Sequence, residues 1–464
     1  MRRTRILATI GPASNSPETI LELLEAGVDA FRLNFSHGVR EDHAAMCKRI
    51  REVAAAAGRD VTIVQDLGGP KIRTGKVADG TRLEDESQLV IERGDFVGDA
   101  SRVSCSFDAL YTSVSTGDRL LIDDGRIELE VQTVAPEHLR TRVVIGGALH
   151  SSKGINVPTS SLKTSALTPK DREDMAAGIA MGVDMVAVSF VQSPQDMIDA
   201  REVATSCGAP YLPLIAKIEK PQAIDCIDGI LEVANALMVA RGDLGVEIPL
   251  EQVPAVQRRI IQAARHRGVP VILATQVLES MRTDPRPTRA EVTDAAHAVD
   301  ERVDAIMLAG ETASGLYPVR AVAVLDSIIR ETEKMQTESG GTVPEGLHWS
   351  AHSRALCEAA VALADRANAT AIIAMTRAGK TAHLLAAMRP MARVLAVTPE
   401  RSVAAGFALV WGVTAVLSDH RAIGAVRRHL VAQNLVTGGD VIVFVSAHST
   451  LGHENINFVH VERV

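Results

Sequence analysis

The sequence is short of the signals that mark membranes, secretion and nucleic-acid binding. No apolar run reaches the roughly 20 residues that a bilayer-spanning helix needs. The start, Met1-Arg2-Arg3-Thr4, leads straight into a strand-like segment without an apolar signal core or cleavage site, so a cytoplasmic protein is expected. There is no basic block, and a net charge of −8 over 464 residues gives little for nucleic acid or a membrane surface to recognise. Paired cysteines are missing as well. Cys47, Cys105, Cys207, Cys226 and Cys357 lie far apart with no CxxC, which argues against a disulfide framework and against a zinc site. Short repeats and low-complexity tracts are absent.

What is present is a soluble, globular balance of 46% hydrophobic and 23% charged residues, in a chain too long for one core, so two to four domains are expected. Short β-branched runs alternate with longer amphipathic stretches, the pattern of βα units on a parallel sheet. Eight such strands are predicted: Thr4–Ile10, Ala30–Asn34, Val61–Asp66, Asp184–Phe190, Leu214–Glu219, Leu237–Arg241, Val271–Thr275 and Asp304–Leu308. Eight is the count of a (β/α)8 TIM barrel. The first helix shows its ends, with Ser16-Pro17-Glu18-Thr19 opening it and Ala26-Gly27 closing it.

From about Pro70 to Pro158 the pattern changes to alternating strands (Leu89–Glu92, Arg119–Ile122, Ile127–Thr133, Leu139–Val144) and turn pairs such as Asp124-Gly125. This predicts a β-rich insert on the third βα loop. The run Thr337–Pro344 reads as a linker. Beyond it, strands near Ala371–Met375, Arg393–Val397, Thr414–Leu417 and Val441–Ser446 predict a C-terminal α/β domain. The expected division is barrel 1–69, insert 70–157, barrel 158–336 and C-terminal domain 337–464.

Barrel active sites lie at the C-terminal ends of the strands. There the sequence places Arg32-Leu33-Asn34-Phe35-Ser36-His37-Gly38, Asp66, Lys217-Ile218-Glu219, Arg241-Gly242-Asp243, Thr275 and Gly310-Glu311. Six strand ends thus bring cations and carboxylates to one rim, a set suited to an anionic substrate held on a divalent metal. Taken singly, the residues are ambiguous. Glu219 and Asp243 are compatible with ordinary strand-end ion pairs, but together they offer the few carboxylates that Mg²⁺ takes. Lys217 and Glu219, two apart on one strand, point to the same face. A buried lysine is rare without a partner. Thr275 alone better suits a helix cap, Arg32 and Arg73 are compatible with surface cations, less so Arg32 between apolar Phe31 and Leu33, and His37 is open.

Several ordered blocks resemble the pyruvate kinase family. They are Ala8-Thr9-Ile10-Gly11-Pro12-Ala13-Ser14, Arg32 to Gly38, Lys217-Ile218-Glu219, Met238-Val239-Ala240-Arg241-Gly242-Asp243-Leu244-Gly245, Ala274 to Met281, Pro285 to Glu291 and Met307-Leu308-Ala309-Gly310-Glu311-Thr312. The resemblance spans the chain, tightly in the barrel and loosely in the insert and C-terminal block. It implies transfer of the phosphoryl group of phosphoenolpyruvate to ADP, with the insert as a lid domain and a homotetramer as the assembly. Lys217, Arg32 and Thr275 would be catalytic. Arg32, Lys217, Gly242, Asp243 and Thr275 would bind the substrate, Glu219 and Asp243 would hold Mg²⁺ or Mn²⁺, and Asn34, His37, Arg73 and Lys153 would face the nucleotide. Asn34, Ser36 and Asp66 would form a monovalent-cation pocket.

One departure stands out. Where many family members read Asp-Thr-Lys-Gly-Pro-Glu-Ile-Arg and need K⁺, this chain reads Asp66-Leu67-Gly68-Gly69-Pro70-Lys71-Ile72-Arg73. Lys71 resembles the K⁺-independent class, and its ammonium is a compact point charge able to stand in for the ion. The plainer alternative is a lysine pointing to solvent. Thr376-Arg377-Ala378-Gly379-Lys380-Thr381 opens a helix after a strand, a candidate cradle for a sugar-phosphate or nucleotide effector, although it lacks the full GxxxxGK[ST] pattern and a structural turn competes. Ser446–Asn457 resembles the family's effector loop loosely. Two rivals stay open: a metal-dependent barrel lyase acting on a 2-oxo acid, and a silent metabolite-binding protein. A coupled assay and a Lys217→Met variant separate them from a kinase.

Overall fold

The computed structural model describes residues 2–158, 164–337, 350–447 and 457–464. Strands β1 (Arg5–Thr9), β2 (Ala30–Asn34) and β3 (Thr62–Asp66) begin a barrel that the chain leaves and then re-enters. The insert carries β4 (Arg82–Leu83), β5 (Gln88–Arg93), β6 (Arg102–Cys105), β7 (Arg119–Ile122), β8 (Ile127–Val134), β9 (His138–Ile145), β10 (Gly147–Ala148) and β11 (Ile155–Asn156). The barrel resumes with β12 (Met185–Val188), β13 (Leu214–Ile218), β14 (Ala236–Ala240), β15 (Val271–Ala274) and β16 (Ala305–Leu308). It closes in the order β1-β16-β15-β14-β13-β12-β3-β2, with parallel pairing throughout. Each of the eight strands read from the sequence is present to within two residues at either end.

Local chemistry explains the elements. In the helix Pro17–Ala26, the Ser16 hydroxyl accepts from the Thr19 amide at 3.1 Å, Pro17 occupies the first turn, and Gly27 ends the helix at φ 112°. Such a cap contributes about 1 kcal/mol. Strand alternation divides the barrel core in two. Phe31, Leu33, Ile63 and Ile218 face the surrounding helices. Leu7, Ala30, Val64, Ala187, Ile215, Met238, Ile272 and Met307 fill the interior. Leu409, from the short turn Phe407–Leu409, joins that interior cluster and closes the barrel floor.

The insert folds as a six-stranded sheet, β11-β7-β8-β9-β5-β6, with the β10-β4 pair beside it, over its own core of Leu89, Ile91, Leu120, Leu129, Val131 and Leu139. The C-terminal unit has β17 (Ala371–Met375), β18 (Arg393–Thr398), β19 (Val413–Leu417), β20 (Val441–Ser446) and β21 (Phe458–Arg463), in the order β19-β18-β17-β20-β21. β21 is the one antiparallel member. The linker read over Thr337–Pro344 lies, apart from Thr337, outside the described residues, and so do residues 448–456 of the Ser446–Asn457 segment. Among the described residues, no helix is long and apolar enough to cross a membrane.

Candidate active site at the top of the barrel

The interior layers of the barrel are apolar until the last one. Continuing each strand by two residues takes Leu7 to Thr9, Ala30 to Arg32, Val64 to Asp66, Ala187 to Ser189 and Ile215 to Lys217. The same alternation that builds the core therefore aims a ring of polar side chains into the top of the barrel.

These groups meet. Arg32 donates Nε–H to Asp66 Oδ2 at 2.6 Å and Nη1–H to the Thr9 hydroxyl at 3.2 Å. Lys217 Nζ lies 3.2 Å from Asp66 Oδ1 and 2.8 Å from Glu219 Oε1. It also donates to the Ser189 hydroxyl at 2.7 Å, which in turn donates to Leu67 O at 2.7 Å. Glu219 Oε2 accepts the Phe190 amide at 2.8 Å. Asp66 and Glu219 are each about 1% exposed or less. Such burial would leave an unpaired charge very costly, and the pairing offsets it. Burial pushes the Asp66 carboxyl up, but Arg32 and Lys217 outweigh it and hold the group below the usual carboxylate range. Burial pulls the Lys217 ammonium down, and Asp66 and Glu219 outweigh that and hold it charged. Burial raises the Glu219 carboxyl against the pull of Lys217, and Asp243 raises it further. Glu219, with the Asp243 carboxylate near enough to raise it, offers with Asp243 a donor set suited to a divalent cation.

Other residues of the rim fall into place differently. Thr275, at φ 67°, accepts the Gly242 amide on its hydroxyl at 2.8 Å and donates to Ala274 O at 2.6 Å. It thus serves the first turn of the neighbouring helix Arg241–Glu247 rather than a helix of its own. Asn34 Oδ1 accepts the Ser36 amide at 3.1 Å, and the ring of His37 is held below its usual value by burial and by Lys71, Arg73 and Arg32. Lys71 is exposed and, with Arg73, Asn156, Lys220 and Asp243, lines a cleft of about 120 Å³ between insert and barrel. Arg73 Nη1 donates to Ser152 O at 2.9 Å, and Lys153 pairs with Asp123 at 2.8 Å, so both belong to the hinge of the insert.

Two rim residues do not join the cluster. Arg241 turns away to Asp294 at 2.7 Å and to the carbonyls of Thr275 and Gln276. Glu311 is buried and accepts the amides of Leu278 and Ala309, so it braces backbone. In the C-terminal unit, Thr376 follows β17 and Gly379, at φ 84°, precedes the helix Lys380–Ala387, as the sequence suggested. Arg377 lies 3.4 Å from Glu400, Lys380 is exposed, and the Thr381 hydroxyl donates to Ala447 O at 3.2 Å, a bond that favours the structural turn for Thr381.

Sequence reasoning missed Thr9 and Ser189, which extending the strand alternation by one more step would have found. It also missed Lys220, whose ammonium lies 2.5 Å from Glu247 Oε1; the same oxygen accepts from Asn156 Nδ2 at 2.7 Å and so ties the insert's return strand to the barrel. Among the described residues there is no cluster of three or more His, Cys, Asp or Glu side chains able to hold a metal by themselves.

Comparison with known proteins agrees across the chain. Residues 1–322 match the family model described as pyruvate kinase, barrel domain, and residues 354–462 match that described as pyruvate kinase, alpha/beta domain. A pyruvate kinase of Agrobacterium vitis is 41% identical over 466 residues, covering 98% of this chain and 97% of that one. One of Mycobacterium tuberculosis is 40% identical over 470 residues, covering 100% and 98%. The crystal structure of a pyruvate kinase from Cryptosporidium parvum superposes with a TM-score of 0.89 at 32% identity, covering 100% of this chain and 96% of that one.

Proposed function

The chain belongs to the pyruvate kinase family, and from that premise we propose how its own residues carry out the transfer. The enzyme is a phosphotransferase that moves the phosphoryl group of phosphoenolpyruvate to ADP, giving pyruvate and ATP. The observation that carries the assignment of roles is the buried charge relay Arg32–Asp66–Lys217–Glu219 at the top of the barrel. Phosphoryl transfer asks a protein mainly for positioning and for positive charge at the oxygens where negative charge develops.

Arg32 grips the phosphate of phosphoenolpyruvate, with its guanidinium oriented by Asp66 and Thr9. Lys217, held charged by Asp66 and Glu219, stabilises the phosphoryl group in flight and the enolate left behind. Glu219 and Asp243 would hold the divalent metal, Mg²⁺ or Mn²⁺, which would supply positive charge to offset the negative charge of the anionic substrate. The backbone at Gly242 and the Thr275 hydroxyl receive the carboxylate end. Protonation of the enolate carbon proceeds on the Thr275 side through water, because a threonine hydroxyl is too weak an acid to supply the proton. Asn34, His37, Arg73 and Lys153 face the nucleotide, and the insert (residues 70–157) closes over the site to exclude water.

Enzymes of this family generally use a divalent metal and K⁺. Lys71 makes this one K⁺-independent, its ammonium replacing the ion beside a pocket of Asn34, Ser36 and Asp66. Support comes from its place on the cleft shared with Asp243 and from Asp66, whose two oxygens already face Arg32 and Lys217. The protein works in the cytoplasm as a homotetramer, and residues 376–381 form the candidate effector cradle of a C-terminal domain spanning 337–464.

The test is a Lys217→Met variant in a coupled assay with phosphoenolpyruvate and ADP. Removing a charge that acts in the transition state lowers kcat by about 10²–10³-fold or more, with the far-ultraviolet spectrum unchanged. Unaltered turnover would overturn the assignment.

A further inference from the structure

The floor of the barrel, where it meets the C-terminal unit, holds a second cluster of buried charge that the transfer reaction does not use. Arg265 comes from the helix Val253–His266, Arg302 from the turn before β16, and Arg389 from the turn after the helix Lys380–Ala387. One carboxylate, Asp304, stands among them. It is already committed: Oδ1 accepts from Arg389 Nη1 at 3.0 Å and from the Trp411 amide at 3.2 Å, and Oδ2 accepts the Val271 amide at 2.9 Å. Arg389 also donates from Nη1 to Ala386 O at 2.9 Å and from Nη2 to Arg302 O at 2.6 Å, and its guanidinium stacks on the Trp411 ring at 4.7 Å.

What remains is an excess of donors. Arg265 Nε, Arg302 Nη1 and Arg389 Nε are all buried, and none has a hydrogen-bond partner among the described residues. Arg389 is 6% exposed. Three guanidinium groups stand against one carboxylate among the described residues, with Arg389 buried and Arg265 and Arg302 half-buried, an excess of positive charge that protein interiors avoid unless something answers it. The mutual repulsion is visible in Arg265, which burial, Arg389 and Arg302 pull down to about 10. Arg302 and Arg389 also sit at φ 66° and φ 51°, backbone settings uncommon for residues with side chains.

The donors border space. Arg265, Asp304 and Arg389 line a cavity of about 10 Å³, room for roughly one headgroup oxygen. Pro270 and His383 form its wall on one side, and the same two residues line a larger cavity of about 660 Å³. That larger cavity, within the range of small-molecule sites, also takes in Arg201, Tyr211, Asn235, Arg377 and Glu400. Arg201 is held by Pro210 O, Leu212 O and Asn235 Oδ1, which fixes that wall.

We propose that this seam is an oxyanion-binding site, in which one oxygen of the carboxylate or phosphate headgroup of a small ligand enters the small cavity against Arg265 and Arg389, with the charge of Arg302 nearby, and the rest of the ligand occupies the larger cavity that shares Pro270 and His383 with it. Guanidinium forks are suited to both headgroups. The site joins barrel and C-terminal unit, so an occupant bridges the two.

Thermal unfolding of the full chain, at matched ionic strength in chloride, tests this with inorganic phosphate, glycerol 3-phosphate and succinate as probes. Phosphate stabilises many proteins without binding, so the difference between variants is the readout. Arg265→Gln relieves the repulsion, and the ligand-free variant unfolds at or above the wild-type temperature. It also weakens the response to the effective probe about tenfold or more in apparent affinity, as expected for one lost charge-assisted hydrogen bond. Arg302→Gln, a second route should the first variant fold poorly, weakens it through the lost nearby charge and by less than Arg265→Gln. Arg32→Gln, which disables the phosphate grip at the top of the barrel, leaves this response intact. A response to the phosphates alone or to succinate alone identifies the headgroup. Equal responses in wild type, Arg265→Gln and Arg302→Gln, or no response to any probe, overturn the proposal.

Discussion

Both ends of the barrel are lined with buried charge, and they differ in how it is balanced. At the top, Arg32 and Lys217 face Asp66 and Glu219, and every carboxylate oxygen has a cation or an amide against it. At the floor, Arg389 pairs with Asp304, while Arg265 Nε and Arg302 Nη1 have no hydrogen-bond partner among the described residues. The physical consequences run in opposite directions. At the top, pairing outweighs desolvation and keeps Lys217 and Asp66 ionised; at the floor, desolvation and like-charge repulsion prevail and pull Arg265 down. Residues in left-handed conformations occur at both ends, Phe190, Thr275 and Gln276 above and Arg302 and Arg389 below. Strained backbone of this kind concentrates where function over-determines it. A balanced cluster is complete for orienting its members, whereas an unbalanced one is complete only with a further anion.

The contrast is broken most forcefully at Asp66. Asp66→Asn removes the carboxylate shared by Arg32 and Lys217 and leaves two buried cations facing each other. Breaking one partner of a buried charge pair costs about 3–5 kcal/mol, and urea unfolding reads that loss directly. At the floor the sign reverses, because Arg265→Gln removes a repelling cation and does not destabilise. If Asp66→Asn costs less than about 1 kcal/mol, the top cluster is solvated and the two ends are alike after all.

The two ends were not equally legible in the sequence. The top could be read because its charges occupy strand ends with period-2 alternation, and because the motif around Lys217-Ile218-Glu219 stands on a clear strand. Extending that alternation by one more two-residue step reaches Ser189 and Thr9. Arg241 was misleading: it sits at a strand end like Arg32, but as the first residue of the helix Arg241–Glu247 it points toward Asp294. The floor was hidden because its arginines come from a helix, a turn and another domain, and no periodicity relates Arg265, Arg302 and Arg389. In the insert, two-residue strands such as β4, β10 and β11 are too short to carry a pattern, and the helix Asp108–Ser113 lies in a stretch without helical spacing. β21 escaped because it is an edge strand with His460, Glu462 and Arg463 along it.

A medium-sized effect sharpens the floor. The ring of His383, in the wall between the two floor cavities, is pulled down to about 4 by burial, against a weaker opposing pull from Asp304, and its Nδ1 is buried with no hydrogen-bond partner among the described residues. In the unfolded chain a histidine titrates near 6.5. Above that pH both states are neutral and the group contributes no pH dependence. As pH falls from about 6.5 toward 4, the unfolded chain takes up a proton that the folded one refuses, so stability is lost across that window. Between pH 7 and pH 5 the loss is about 2 kcal/mol. His383→Gln removes this part of the slope in urea unfolding at the two pH values. An unchanged slope would mean that the seam is wet, and that its arginines are better solvated than the cavities imply.

The smallest effect is expected where charge is exposed. Lys71 stands on the rim of the top cleft, outside the balanced cluster, with Arg73 and Asp243 across the same space. There its ammonium adds a fixed cation without a desolvation cost, and Leu67, buried where many family members carry a threonine, offers no side-chain oxygen to a monovalent ion. Replacing K⁺ with a tetraalkylammonium salt at equal ionic strength therefore changes the initial rate by less than about twofold, under 0.5 kcal/mol in the barrier. A strict K⁺ requirement would sink that expectation and would place the ion in the Asn34, Ser36 and Asp66 pocket. Asp66 would then have to serve Arg32, Lys217 and the ion together, and the top of the barrel would carry surplus positive charge as the floor does.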